Sequence, residues 1–242
     1  MPRFFTDQIS GETVRITGAD AAHIAKVLRM RPGERLTVCD CRGSDLLCEI
    51  TEVSPACVLL RIRESAPSGS EPSVRVTLYQ ALPKADKMEL IVQKSVELGV
   101  HRIVPVLSAR CVSRPDEKAL RAKAQRWARI AAEAAKQSGR GILPEVAEAM
   151  PFERAAGAFA EQTDGRGILF YERSGGRAAD ALAELPARAA VFIGPEGGFE
   201  EAEVTLAAGR GIRIAGLGPR ILRAETAPLC ALAAIMFATG NI

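Results

Sequence analysis

Glycine, arginine and glutamate concentrate in two short stretches near the end of the 242-residue chain. The first, GPEGGFEEAEV at residues 194–204, follows the apolar run AAVFI. A glycine-rich strand-to-helix turn lets backbone N–H groups approach a ligand, and a helix N-terminus favours anions. The side chains argue against phosphate: Glu196 lies inside the turn, and Glu200, Glu201 and Glu203 fill the first helical positions. Neither GxGxxG nor GxxxxGK(S/T) can be read across it. A neutral or cationic ligand gripped by backbone groups suits this turn; a plain tight turn before an acidic helix start is the competing reading. The second stretch, LGPRILRAETAPL at residues 217–229, sets Arg220 and Arg223 three apart, then Glu225. Two permanently charged guanidinium groups and a carboxylate can steady a developing negative charge and orient or accept a proton. An Arg–Glu pair closing a helix start is the plainer alternative, but three polar groups beside a glycine-rich turn exceed what capping needs.

These two stretches need elements to hold them. Thr226 reads as an N-cap with Pro228 in the first helical turn. The helix beyond, LCALAAIMFA, is apolar on every face and is expected to be buried. Upstream, VRVTLYQAL, RIVPVL, GILFYE, AAVFIG and GIRIAGLG read as strands, separated by helical segments such as KADKMELIVQKSVELG and the run from Glu117 to Ser138. Strands alternating with helices predict a mostly parallel α/β sheet covered on both faces. Ligand crevices in such sheets lie beyond the carboxyl ends of the strands, which gathers the turns after GILFYE, AAVFI and GIRIAGLG into one neighbourhood.

The N-terminal third has a different pattern. RLTVCD, DLLCEITEV and CVLLRIR read as short strands between turns, and Thr17-Gly18-Ala19-Asp20 before AAHIAKVLRM reads as a capped helix. SAPSGSEPS, residues 65–73, reads as a linker. The expected organisation is a small β-barrel domain over residues 1–68 and a larger α/β domain over 74–242.

Charge is distributed unevenly. The whole chain carries +3, too little to mark a nucleic-acid binder by itself. Residues 1–64 balance at nine Lys/Arg against nine Asp/Glu, yet Lys26, Arg29, Arg31 and Arg35 cluster. Residues 84–140 hold thirteen Lys/Arg against six Asp/Glu. On the helix from Glu117, residues Lys118, Arg121, Arg126, Arg129 and Lys136 share one face, opposite Leu120, Trp127 and Ala131. A solvated face and an RNA footprint both fit that pattern. The longest apolar run, Ala227 to Ala238, falls short of the roughly 20 residues that span a bilayer. With no apolar core in MPRFFTDQ either, a soluble cytoplasmic protein is expected. Six cysteines and two histidines lack the paired spacing of a zinc site, so no metal is expected and the cysteines read as small apolar residues.

GPEGGF followed by LGPRILRAETA resembles the ribosomal RNA uridine N3-methyltransferases of the RsmE family, in the SPOUT superfamily. RFF at 3–5, HIAKVLRMRPG at 23–33, KMELIVQKSVELGV at 87–100 and AAKQSGRGILPEV at 134–146 resemble further segments in the same order. Residues 108–125 and 147–190 match only in general character. Ala224 stands where many relatives carry a hydroxyl residue, so no chemistry is placed on it. The resemblance implies a SPOUT-type parallel sheet with a C-terminal trefoil knot, a PUA-like N-terminal barrel and a homodimer with its active site near the subunit interface. The knot breaks the usual rule against threaded connections.

It also implies S-adenosylmethionine as cofactor and 16S ribosomal RNA as partner, in an assembled or assembling small subunit. The cofactor pocket is then expected from Gly194, Pro195, Glu196, Gly197 and Gly198. Leu217, Gly218, Ile221, Leu222 and Arg223 form a second wall, with Thr226 and Ala227 behind it. Leu169 and the residues just after it close the third side. Gly197→Val is expected to block this pocket. Arg223 and Arg220 are the expected catalytic cations, with Glu225 or Glu196 as proton acceptor, or else solvent. Phosphate contacts are expected from Arg3, Lys26, Arg29 and Arg31 in the barrel, and from Lys84, Lys87, Lys94 and Arg140 beyond it. Two other readings stay open: an RNA methyltransferase of the same fold acting on transfer RNA or a ribose hydroxyl, and a cofactor-binding RNA-binding protein without catalysis.

Overall fold

In the stretch TVRIT, Val14 and Ile16 turn inward while Thr13, Arg15 and Thr17 face outward, the period-two pattern of a half-buried strand. The computed structural model, which describes residues 1–161 and 164–242, builds an N-terminal sheet from such strands. They are β1 (Arg3–Phe5), β2 (Ile9–Ser10), β3 (Thr13–Thr17), β4 (Arg35–Cys39), β5 (Ser44–Val53) and β6 (Cys57–Pro67). The order is β1-β4-β5-β6-β3-β2, antiparallel except for the β1–β4 pair. Phe4, Val14, Ile16, Leu36, Val38 and Leu60 fill its core.

Two details differ from the sequence reading. The SAPSGSEPS stretch begins as strand: Ser65, Ala66 and Pro67 pair with Leu46, Asp45 and Ser44. Proline is tolerated there because it ends the strand and owes no further ladder donor. The helix after Thr17 is also short. After α1 (Gly18–Ala22) the backbone widens into a π-turn over His23–Val27, and Arg29 adopts a left-handed φ of 53°. Thr17 occupies the N-cap without a side-chain capping bond.

Residues Ala135–Leu143 belong to this first unit with Met1–Glu71. Their anchor is Arg140, whose Nε and Nη2 donate to the two carboxylate oxygens of Glu71 at 2.9 and 2.8 Å. Burial would raise the Glu71 carboxyl, but Arg140 and the N–H groups of Gly141 and Ile142 outweigh it and hold it below its usual range. Arg3 pairs with Asp45 at 2.7 Å and donates to the Arg140 carbonyl at 2.8 Å. The buried Cys39 and Cys48 thiols are pushed up to about 11 by burial and stay neutral, as packing residues should.

The second unit, Pro72–Ala134 with Pro144–Ile242, is the alternating one. Its strands are β7 (Arg75–Ala81), β8 (Arg102–Leu107), β9 (Glu145–Val146), β10 (Met150–Pro151), β11 (Gly165–Phe170), β12 (Arg188–Ile193) and β13 (Arg213–Ala215). Every pairing is parallel, in the order β10-β8-β7-β12-β11-β13 with β9 also beside β8. The helices are α2 (Lys87–Glu97), α3 (Glu117–Ser138), α4 (Phe152–Ala160), α5 (Ala178–Leu182), α6 (Glu201–Gly209) and α7 (Ala227–Ala238). On one face Tyr79 stacks on Phe192 at 4.4 Å, and Phe152 and Phe159 of α4 meet the Phe192 ring edge-on. On the other, α2 packs against α7, and α7 against the central strands β7 and β12. The chain therefore leaves the edge strand β13 and returns to the middle of the sheet as α7. The loop between them is the stretch that carries Arg220, Arg223 and Glu225.

Helix α7 is not buried all round. Ala231, Leu232, Ile235 and Met236 are covered, whereas Cys230 lies exposed and Phe237 is 76 % exposed on the opposite side. Among the described residues no helix is long and apolar enough to cross a membrane.

Candidate functional site

The carboxyl ends of β11 and β12 and the loop after β13 converge on one cavity of about 480 Å³, within the range of roughly 300–1,000 Å³ usual for small-molecule sites. Gly194 to Gly198 form one wall and Leu217 to Ala224 another, with Ala227 at the start of α7. Phe170, Tyr171 and Glu172 close the third side from the end of β11, and Lys87 enters from the first position of α2. The three turns gathered by the sheet rule are thus brought together. Three expected residues stand apart from this lining, and one of them, Glu225, reaches it through Lys87. Leu169 points into the core cluster with no exposed surface, because strand alternation turns it away. Thr226 takes the N-cap position of α7 without a side-chain capping bond.

Backbone shape explains the glycines. Gly198 has a φ of +68°, and a Cβ there would lie 2.7 Å from the Glu172 carboxylate. Gly197 behaves differently. A Cβ on it would meet Arg110 at 3.3 Å, so Gly197→Val would press on that arginine, and the blocking substitution moves to Gly198. Arg110 also donates to the Gly197 carbonyl at 2.9 Å, bracing the turn from a segment the sequence reading had left blank. The helix-mouth acids are engaged in structure: Glu203 accepts the N–H groups of Glu200 and Ala109, each at 2.9 Å.

Electrostatics divide the cavity into two parts. Lys87 Nζ lies 3.0 Å from Glu196 Oε1 and 3.0 Å from Glu225 Oε2. Glu196, foremost, and Glu225 hold the Lys87 ammonium above its usual range. Burial would raise Glu196, but its own N–H group, Lys87 and the Lys84 N–H hold it below the usual carboxylate range. Glu225 is held low by its own N–H group first, then by Lys87, with Arg223 adding its charge. Arg220 and Arg223 line the cavity, and among the described residues neither guanidinium has a hydrogen-bond or ion-pair partner. Two free forks beside a carboxylate-rich wall can take an anion on one side and a cation on the other. Lys87 was expected at an RNA phosphate rather than in this cavity, and Glu172 only among the residues just after Leu169; the signal available for both was position, at a helix start and a strand end facing the crevice.

The expected phosphate contacts separate into free and engaged groups. Lys26, Arg29, Arg31 and Lys84 are exposed. Arg140 is 3 % exposed in its pair with Glu71, and Arg3 is committed to Asp45; neither offers a free guanidinium. Lys94 pairs with Glu97 at 2.8 Å. On the basic face of α3, Arg126 pairs with Glu89 at 2.7 Å and Lys136 with Asp20 at 2.9 Å, while Lys118 and Arg129 stay exposed.

Comparison with known proteins gives a consistent result. A family model described as an RNA methyltransferase domain matches residues 70–236, and one described as an RNA methyltransferase PUA domain matches residues 16–62. The chain is 37 % identical to the ribosomal RNA small subunit methyltransferase E of Bacillus subtilis, over 94 % of this chain and 91 % of that protein. It is 34 % identical to the protein of the same name from Synechocystis, over 95 % of this chain and 74 % of that one. A crystal structure of ribosomal RNA small subunit methyltransferase E from Neisseria gonorrhoeae, bound to S-adenosyl methionine, superposes with a TM-score of 0.85 at 31 % identity, covering 98 % and 97 % of the two chains.

Proposed function

Because this chain belongs to the ribosomal RNA small subunit methyltransferase E family, we propose that it methylates N3 of a specific uridine in 16S ribosomal RNA, using S-adenosylmethionine. The observation that carries this reading is the cavity itself, where the glycine-rich turn and the last loop bring Arg220 and Arg223, both unpartnered among the described residues, together with Glu172 and Glu196, while Glu225, outside the lining, reaches it through Lys87. The fit is chemical as well as spatial. A sulfonium is a cation, and Glu172, Glu196 and Glu225 outnumber Lys87 on that side. The bound cofactor supplies an electrophilic methyl group.

The chain's own residues handle charge and position. Gly198 and its neighbours let backbone approach the ligand, and Tyr171, Leu217 and Leu222 shut out water. Arg223 and Arg220 can donate to the uracil carbonyl oxygens on which negative charge collects as the N3 proton leaves. Uridine N3 lies on the Watson–Crick edge, so the base must be unpaired or turned out of its stack. Glu196 and Glu225, both held below the usual carboxylate range, are weakened as bases, which favours solvent as the proton acceptor. The test is transfer of a labelled methyl group from S-adenosylmethionine to small-subunit RNA by the purified protein; absence of label at a uridine base would refute the assignment.

RNA is held by exposed basic residues, among them Lys26, Arg29 and Arg31 in the first unit and Lys84 in the second. Arg29→Ala is expected to weaken RNA binding and flatten its salt dependence by about one unit of slope, with cofactor affinity unchanged. Arg140→Ala is expected to act through folding instead, costing about 3 kcal/mol by leaving the Glu71 carboxylate without its counter-charge. An unchanged slope in Arg29→Ala would return that residue to the solvated surface.

A homodimer and a trefoil knot complete the proposal. Exposed Phe237 and Cys230 give α7 an apolar outer stripe, the kind of face a second copy would cover. The β13-to-α7 return is the connection a knot would thread. Phe237→Glu is expected to give monomers by light scattering at micromolar concentration; a wild type that is itself monomeric and fully active would remove the dimer from the account.

A further inference from the structure

The first turn of α2 reaches both walls of the cavity. Lys87 Nζ meets Glu196 of the β12–α6 turn and Glu225 of the last loop, each at 3.0 Å. The Lys84 N–H group adds contacts to both Glu196 oxygens at 3.1 and 3.3 Å. The turn is therefore held by backbone and side chain together, and the ammonium joins the α2 start to the last loop as well. An RNA phosphate would have to displace two carboxylates to reach that ammonium.

We propose that Lys87 is the positioning residue of the cofactor site, joining its two loops through Glu196 and Glu225. This deepens the reading of the cavity as an S-adenosylmethionine site and rests on it. Removing the ammonium leaves two carboxylates from separate loops facing each other without a counter-charge. Like charges drive the loops apart, and each carboxylate then protonates more readily. The other charged groups lining the cavity are Arg220 and Arg223 from the last loop and Glu172 from the end of β11. None of them is in ion-pair contact with Glu196 or Glu225, so none replaces the bridge among the described residues. The bridge also leaves a residual negative charge, since one ammonium answers two carboxylates.

The sign of the pH dependence follows. Glu196 and Glu225 are held below their usual range, so their ionised form is lost only as pH falls through those lowered values. Without Lys87 the lowered values rise, and the loss begins at a higher pH.

The experiment compares wild type, Lys87→Met and Lys87→Arg by calorimetry with S-adenosylmethionine across pH, and by RNA binding across salt concentration. Lys87→Met is expected to bind the cofactor about tenfold more weakly, with the acid limb of binding moved to higher pH. Its RNA salt slope is expected to match wild type, and Lys87→Arg to restore most of the affinity. Wild-type cofactor affinity in Lys87→Met, together with a salt slope flatter by about one unit, would overturn the positioning role and make Lys87 a phosphate contact. Failure of the wild type to bind S-adenosylmethionine at all would instead overturn the reading of the cavity, and the role of Lys87 with it.

Discussion

Arg223→Ala is expected to lower the single-turnover rate of methyl transfer by about 10²–10³-fold, the usual loss when one donor to a developing anion is removed. The side chain lines the cavity and, among the described residues, has no hydrogen-bond or ion-pair partner, so its loss leaves no paired carboxylate stranded there. Its backbone carbonyl accepts the Thr226 and Ala227 N–H groups at 2.9 Å, and alanine keeps that function. Binding of RNA and cofactor is therefore expected to change little, which separates this variant from a folding defect. Lysine should rescue only partly, because a point charge cannot reproduce a planar fork. The pH profile gives an independent reading. With Glu225 held ionised by its own N–H group and Lys87, the rate should climb with pH in the wild type and keep climbing in Glu225→Gln. A near-normal rate in Arg223→Ala would remove the electrostatic role from this loop.

Gly198→Val is expected to weaken S-adenosylmethionine binding by about tenfold or more. Two costs combine there. The left-handed backbone at φ +68° disfavours any residue with a Cβ, by roughly 1–2 kcal/mol, and most of all a β-branched one. A Cβ would also lie 2.7 Å from the Glu172 carboxylate and push it from its place in the cavity wall. If the strained turn relaxes when empty, ligand binding must restore it, and that cost appears as lost affinity. Gly211→Val supplies the matched control. Gly211 also sits at positive φ, +78°, but a Cβ there would meet nothing within 4 Å, and it lies outside the cavity. It should lower the melting temperature and leave the calorimetric affinity alone. Equal cofactor affinity in Gly198→Val and wild type would place the cofactor elsewhere.

Much of this architecture was legible in the residues. RIVPVL is β8 to the residue, and the helix expected from Glu117 to Ser138 is α3. Such strongly patterned segments declare themselves because burial and period agree. The crevice was legible for the same reason: strands identified as parallel fix which of their ends gather the ligand. The misses are of another kind. Arg3 and Arg140 read as free cations because a sequence does not reveal a partner; Asp45 lies 42 residues from Arg3, and Glu71 lies 69 from Arg140. Lys87 read as a phosphate contact for the same reason, its two carboxylates arriving from distant loops. Gly197 and Gly198 are indistinguishable as letters, and only backbone direction shows which one a side chain would turn against Arg110 and which against Glu172. The apolar α7 misled by its uniformity: a helix without a polar face gives no sign of which side stays open, and Phe237 proved to be on that side.

The central claim concerns one base in one RNA. Mass mapping of ribosomal RNA from a strain lacking this protein tests it most directly, with the wild type and Arg223→Ala each returned on a plasmid. The account expects a single uridine of the small-subunit RNA to lose a base methyl group. The wild type should restore it and Arg223→Ala should not. Small-subunit RNA that keeps all its base methyl groups, or a methyl group lost instead from a ribose or a transfer RNA, would contradict it.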